Sequence, residues 1–233
     1  MLLDNPNFMD DLGMTVHIRT KIETWWSYVE AAVVKIGQDT FEIQQNQFHM
    51  NGSPVDMNLV TEDPTHATLG GLKLRYMRIK DNIEAHIYLG NGEKIVMKTF
   101  KGFIKVQMAA EGSSHYTGSH GLLGRFPDGM RVARDGETLI EDVNAFGQEW
   151  QVRADEPKLF HSYDDAWVVP AGQTCAMPDT SPAKQQLRAR RLADGLAEEA
   201  AEKACAHLAG ADERKACVFD VISTQDMDMA GAW

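Results

Sequence analysis

Apolar residues recur with a period of two over a long central stretch of this chain. Ile83, Ala85, Ile87 and Leu89 alternate with Glu84, His86 and Tyr88, and the run ends at Gly90-Asn91-Gly92 before Lys94-Ile95-Val96-Met97. Successive side chains of a strand point to opposite faces, so this alternation predicts a half-buried strand, and Asn-Gly between two such runs predicts a hairpin. Leu72, Leu74 and Tyr76 alternate in the same way with Lys73 and Arg75, and Ile104, Val106 and Met108 with Lys105 and Gln107. Earlier, residues 28–36 read as a more buried strand, turned at Gly37-Gln38-Asp39 into Thr40-Phe41-Glu42-Ile43. Strands that follow one another through short turns, with no helical period between them, predict a mainly β fold: a two-sheet antiparallel β-sandwich, not an α/β sheet. The chain has 233 residues, 43% of them hydrophobic, enough to give such a sandwich a full core.

The composition changes twice downstream. From Gly112 to Trp150 it shifts to Gly, Ser, His and Asp with short apolar touches, which predicts an ordered, loop-rich closure. Residues 157–182 hold four of the eight prolines and predict an extended linker. Ser181 as N-cap and Pro182 at the first helical position then open a helix over 184–193, which Gly195 breaks. Leu196, Ala200, Ala204 and Leu208 recur at four-residue spacing in a second helix, stopped by Gly210, and Asp212 caps a third that carries Ala216, Phe219 and Ile222. The expected organisation is a β domain over 13–156, a linker over 157–182 and a small α-helical appendix over 183–233.

A net charge of −11 opposes phosphate backbones and anionic headgroups, so neither nucleic acid nor a membrane surface is an expected partner. The one basic cluster, Lys184 with Arg188, Arg190 and Arg191, precedes Glu198, Glu199 and Glu202 and reads as a solvated helix face. No run of eighteen apolar residues exists, and Met1-Leu2-Leu3-Asp4 lacks the charged and apolar regions of a signal peptide. Either the chain is intracellular, or it is an internal piece of a protein whose signal peptide lies elsewhere.

The three cysteines, Cys175, Cys205 and Cys217, all fall in the last quarter. Clustering in one short helical segment suits a local bridge formed in an oxidising compartment. Antiparallel helices joined at Gly210 bring Cys205 and Cys217 together, which leaves Cys175 free or paired outside this segment; the alternative is three buried thiols in an intracellular protein.

Several residues have the chemistry of a site. His115 and His120 flank Tyr116-Thr117-Gly118-Ser119, but a catalytic zinc needs three protein ligands, and no His-Glu-x-x-His helix or Cys-x-x-Cys pair supplies them. Asp128, Asp135, Glu141 and Asp142 bunch within fifteen residues, the oxygen-rich chemistry of a calcium loop without its Asp-x-Asp-x-Asp-Gly spacing. Trp25 and Trp26, adjacent in a strand, point to opposite faces, so at most one enters a core. Asn51-Gly52-Ser53 is an acceptor for an N-linked glycan, followed directly by Pro54, which hinders the modification.

Two stretches resemble the von Willebrand factor type D family. Val16-His17-Ile18-Arg19-Thr20-Lys21-Ile22 is similar to its opening strand, and Gly121-Leu122-Leu123-Gly124-Arg125-Phe126 to its Gly-Leu-Cys-Gly-Asn-Phe signature. Asp135-Gly136 and Val143-Asn144-Ala145-Phe146-Gly147-Gln148-Glu149-Trp150 resemble its closing elements, so the resemblance covers roughly residues 13–152. Cys205, then Cys217-Val218-Phe219-Asp220 and Thr224-x-Asp226, look like the segment that follows type D domains in some mucin-like and sushi-containing surface proteins.

The resemblance implies a non-catalytic, extracellular structural or adhesive module of a larger secreted or cell-surface protein. Its partners would be other extracellular proteins, matrix polymers or further copies of itself. The departures are specific: Leu123 stands at the signature cysteine and Arg125 at the asparagine that helps hold calcium. Only Asp128 remains as a calcium ligand of that site, and Arg125 stands where it could replace the ion's charge. No cofactor is expected. The rival readings are a carbohydrate-binding β-sandwich and, third, a metal-dependent hydrolase using His115 and His120.

Overall fold

The computed structural model describes residues 1–22, 27–44, 46–56, 65–90, 92–109, 115–153, 155–162 and 198–233. The expectations for Trp25, Trp26, Cys175, the Ser181-Pro182 helix start and the basic cluster at 184–191 lie outside the described residues. The chain divides into two compact units, one of Met1–Thr20 with Val29–Cys175 and the other of Lys21–Tyr28 with Ala176–Trp233.

The first unit is the expected sandwich. One sheet runs in chain order through β1 (Leu3–Asn5), β2 (Met14–Ile22), β3 (Ser27–Ile36), β4 (Asp39–Gln44), β5 (Gln47–Met50) and β6 (Ser53–Pro54). The other takes β7 (Thr65–Leu69), β8 (Leu72–Ile79), β9 (Asn82–Gly90), β10 (Glu93–Phe100) and β11 (Phe103–Ala109), each pairing antiparallel with the next. The period of two decides which side chains meet. Val34, Ile36, Phe41, Ile43 and Phe48 of the first sheet share one core with Leu74, Tyr76, Ile83, Ile87, Ile95 and Met97 of the second. The Phe48 and Tyr76 rings lie 5.6 Å apart. A fully buried Phe, Ile or Met contributes roughly 1.5–3 kcal/mol over its exposed state, so apolar burial is the main term holding the sheets together.

Two elements were not expected. Residues before Gly13 belong to the sandwich: β1 pairs with β2, Asp4 bridges to His120, and Leu2, Leu3 and Phe8 join the core. The closure ends in a helix, Val143–Glu149, whose N-cap Asp142 accepts from the Ala145 N–H at 2.7 Å. Otherwise the closure is irregular, with isolated bridges Arg125 to Met130 and Val132 to Leu139.

The helical unit contains a helix at Glu198–Ala204, a tight turn at Cys205–His207, a helix at Ala211–Thr224 and a final turn at Met227–Ala232. Cys205 and Cys217 are joined by a disulfide, with their Cα atoms 6.0 Å apart. The bridge turns both helices to a different face from the one expected. Ala201 with Cys205, and Cys217 with Val221, are the buried i, i+4 pairs, whereas Phe219 is exposed. Cys205 lies in the turn rather than in the helix, and Gly210, not Asp212, is the N-cap of the third helix.

Candidate functional site

The strongest concentration of chemistry is on the outer face of the first sheet. Gln44 pairs with Gln47 across the β4–β5 hairpin, and Asn46 in its turn has a φ of 58°. The alternation that sends Phe41, Ile43 and Phe48 inward sends Glu42, Gln44 and His49 outward, and Glu42 stands directly opposite His49 on the ladder. All three are nevertheless buried, because residues 160–162 lie over them.

That cover is held by polar contacts. The His161 N–H donates to Glu42 Oε2 at 2.9 Å, and the His161 ring meets Glu42 Oε1 through Nδ1 at 2.9 Å. Gln44 Nε2 donates to Ser162 Oγ at 2.7 Å and lies 3.5 Å from His161 Nδ1. Arg19, which donates to Glu30 Oε1 at 3.0 Å and touches Gln44 Oε1 at 3.5 Å, places its guanidinium 5.5 Å from the centre of the Phe160 ring. A buried carboxylate that has lost its water needs such donors.

His49 is the member this network leaves unsatisfied. Its ring lies 4.1 Å from that of His161, centre to centre, and its Nδ1 is buried with no hydrogen-bond partner. An orphaned buried polar atom costs about 1–3 kcal/mol. Burial, and then the neighbouring His161, hold its pKa below the ordinary histidine value against the pull of Glu42. One donor atom from each of Glu42, His49 and His161 falls within 4.8 Å of the others, the one such three-residue group among the described residues. Two imidazoles and a carboxylate form a donor set for a divalent cation.

The residues singled out in the sequence go elsewhere. His115 and His120 have separate partners. The His115 ring and N–H both meet the fully buried Glu93 carboxylate, the ring at 2.5 Å, while His120 Nδ1 meets the Gly118 carbonyl at 3.1 Å and its ring packs edge-on to Trp150. Asp128, Asp135 and Asp142 likewise serve their own turns. Asp135 accepts from the Glu137 and Thr138 N–H groups and from Thr138 Oγ1; these bonds, the hydroxyl's first, hold its pKa down to about 2. Asp142 caps the helix, and Glu141 offers its carbonyl to Arg131.

Asp128 is taken by Arg125. The guanidinium donates to Oδ2 at 2.6 and 3.1 Å and to the Gly136 carbonyl at 3.2 Å, and Oδ1 accepts from the Met130 N–H at 3.0 Å. The glycines of this signature are forced by contact: a Cβ on Gly121 would lie 2.4 Å from the Leu2 carbonyl oxygen, and one on Gly124 2.5 Å from that of Gly129. Asn51, exposed, uses both ends of its amide, Nδ2 donating to Asp39 Oδ1 at 2.9 Å and Oδ1 accepting from the Thr40 N–H at 2.8 Å.

Sequence reasoning missed Glu42, His49 and His161. The ladder pairing of Glu42 with His49 could have been read from the hairpin. His161 could not, because it is 119 residues from Glu42 and falls in the stretch expected to be linker. No model of a known protein family matches this chain, and no curated protein does either.

Proposed function

We propose that the chain is a non-catalytic, extracellular contact module of the von Willebrand factor type D kind, joining its parent protein to other copies of itself or to matrix partners. The observation that carries this reading is where apolar surface is left uncovered. Five of the nine large apolar side chains exposed among the described residues, Leu122, Leu123, Met130, Leu139 and Val143, belong to the closing segment. Leu123, Leu139 and Val143 are more than half exposed. Single exposed leucines are ordinary, but such a concentration on one short segment is the composition of a contact surface. The ionic groups of that segment support the reading, since they are spent on its own architecture: Arg125 on Asp128, and Arg134 on the Glu149 carbonyl and Glu156. The Cys205–Cys217 bridge fits an oxidising compartment.

Sedimentation velocity tests the proposal. The sedimentation coefficient of the chain should rise with concentration through the micromolar range, and Leu123→Asp with Val143→Asp should abolish the rise while leaving the circular dichroism spectrum unchanged. A chain that stays monomeric throughout and binds oligosaccharides on a glycan array would displace this reading with the carbohydrate-binding one.

A further inference from the structure

We propose that Glu42, His49 and His161 bind one divalent cation of the zinc class, which clips residues 160–162 onto the β4–β5 hairpin. The donor set selects the class. Carboxylates and carbonyls alone suit calcium or magnesium, whereas imidazole nitrogen suits zinc and its first-row neighbours, and two imidazoles with one carboxylate leave a fourth position for water.

The geometry is close to what the ion requires. Glu42 and His49 are fixed on opposite strands of one hairpin, and their donor atoms and that of His161 lie within 4.8 Å of one another. Bonds of about 2.1 Å place tetrahedral ligands roughly 3.4 Å apart, so the widest pair closes by at most about 1.4 Å, while the 2.9 Å contact of His161 Nδ1 with Glu42 Oε1 opens slightly. The partner that moves is His161, whose side chain is at the surface, while Glu42 and His49 stay in place. A bound ion also gives the buried His49 ring the partner it lacks. Gln44, which bonds Ser162 and lies against His161, sits where a group that orients the ligands would sit.

The signature calcium site of the type D resemblance is a separate matter. It lies in the closing segment, around Arg125 and Asp128, and shares no residue with this cluster.

The test uses the untagged full chain, freed of metal with a chelator and titrated with zinc chloride by calorimetry, with cobalt(II) absorption as a second readout. Wild type should bind one zinc per chain, raise its melting temperature on doing so, and give the intense visible bands of four-coordinate cobalt. His161→Ala, a surface substitution that leaves the core intact, should weaken zinc binding by about 100-fold or more, and Glu42→Gln should do the same. His120→Ala, at a half-buried histidine outside the cluster, should leave it unchanged. Absence of stoichiometric binding by the folded wild type would overturn the proposal. So would binding that is undiminished in folded His161→Ala, which would put the ion elsewhere.

Discussion

His17 makes the stability of the sandwich depend on pH in a direction and amount that can be worked out. It lies in β2, 3% exposed, beside a cavity of about 140 Å³ that it lines with Ile18, Arg19, Val152, Lys158, Leu159 and Phe160, and its Nε2 is buried with no hydrogen-bond partner. Burial away from water, and then the positive charges of the Met1 amino group, Lys158 and Arg134, hold its pKa down from 6.5 to about 4, against an opposing effect of Glu156. Above pH 6.5 the ring is neutral in both the folded and unfolded chain and there is no penalty. Between pH 6.5 and 4 the unfolded chain takes up a proton that the folded chain refuses, so stability falls as pH falls, and the loss is complete below pH 4.

The full gap from 6.5 to about 4 corresponds to roughly 3 kcal/mol, and at about pH 5 some 2 kcal/mol of it is already lost. Urea unfolding of wild type and His17→Leu at about pH 7.5 and pH 5 isolates the effect, because every other titrating group is common to both proteins. Wild type should lose about 2 kcal/mol more than the variant on acidification. Equal losses in the two proteins, or a larger loss in the variant, would refute the reasoning and mean that His17 takes up its proton inside the fold.

Two further outcomes are expected. Millimolar calcium should leave the melting temperature of the β unit unchanged, because Arg125 and the Met130 N–H occupy the Asp128 carboxylate; a micromolar site would add about 4 kcal/mol, and a calcium-dependent rise lost in Asp128→Ala would contradict this. Replacing Cys205 and Cys217 by alanine should cost the helical unit on the order of 3 kcal/mol, from loop closure across a sequence separation of 12, as read by amide hydrogen exchange in the helix Ala211–Thr224; protection equal to that of the native protein would refute it.

The alternation over 72–108 contained most of the second sheet, because a strand with one core-facing side must show that period, and it does so without knowledge of its neighbours. β1 was hidden because three residues are too few to show any period; its place depends on pairing with β2 and on Asp4 meeting His120. The helix Val143–Glu149 was read only as part of a resemblance, since Asn144 and Gly147 weaken its propensity, although Asp142 three residues before Ala145 was a usable capping signal. In the tail, the four-residue spacings were present but the inward face was misplaced by one position. Small residues give little amphipathic contrast, and the bridge, not the pattern, selects the stripe through Ala201, Cys205, Cys217 and Val221. The Glu42, His49 and His161 group was out of reach for a different reason, as two buried polar residues on a strand look like ordinary wet-face positions until a distant segment covers them.

A sandwich has two outer faces, and what each carries bears on where contacts form. The first sheet spends Arg19, Glu30, Glu42, Gln44 and His49 on one another and on residues 160–162, which buries Glu42, Gln44 and His49. The second sheet directs Lys73, Arg75, Glu84, His86, Lys94 and Lys98 outward on alternating positions of β8, β9 and β10, with Lys98 opposite Glu84 and Arg75 opposite His86. The middle of that face is not open to solvent either, since His86, Met77 and Val96 on it are buried. Among the described residues, the irregular closing segment combines exposed apolar side chains with an architecture braced from within by Arg125 and Arg134. A metal clip at residues 160–162 and a contact surface at 122–143 therefore draw on disjoint sets of residues, and removing His161 tests the first without touching the second.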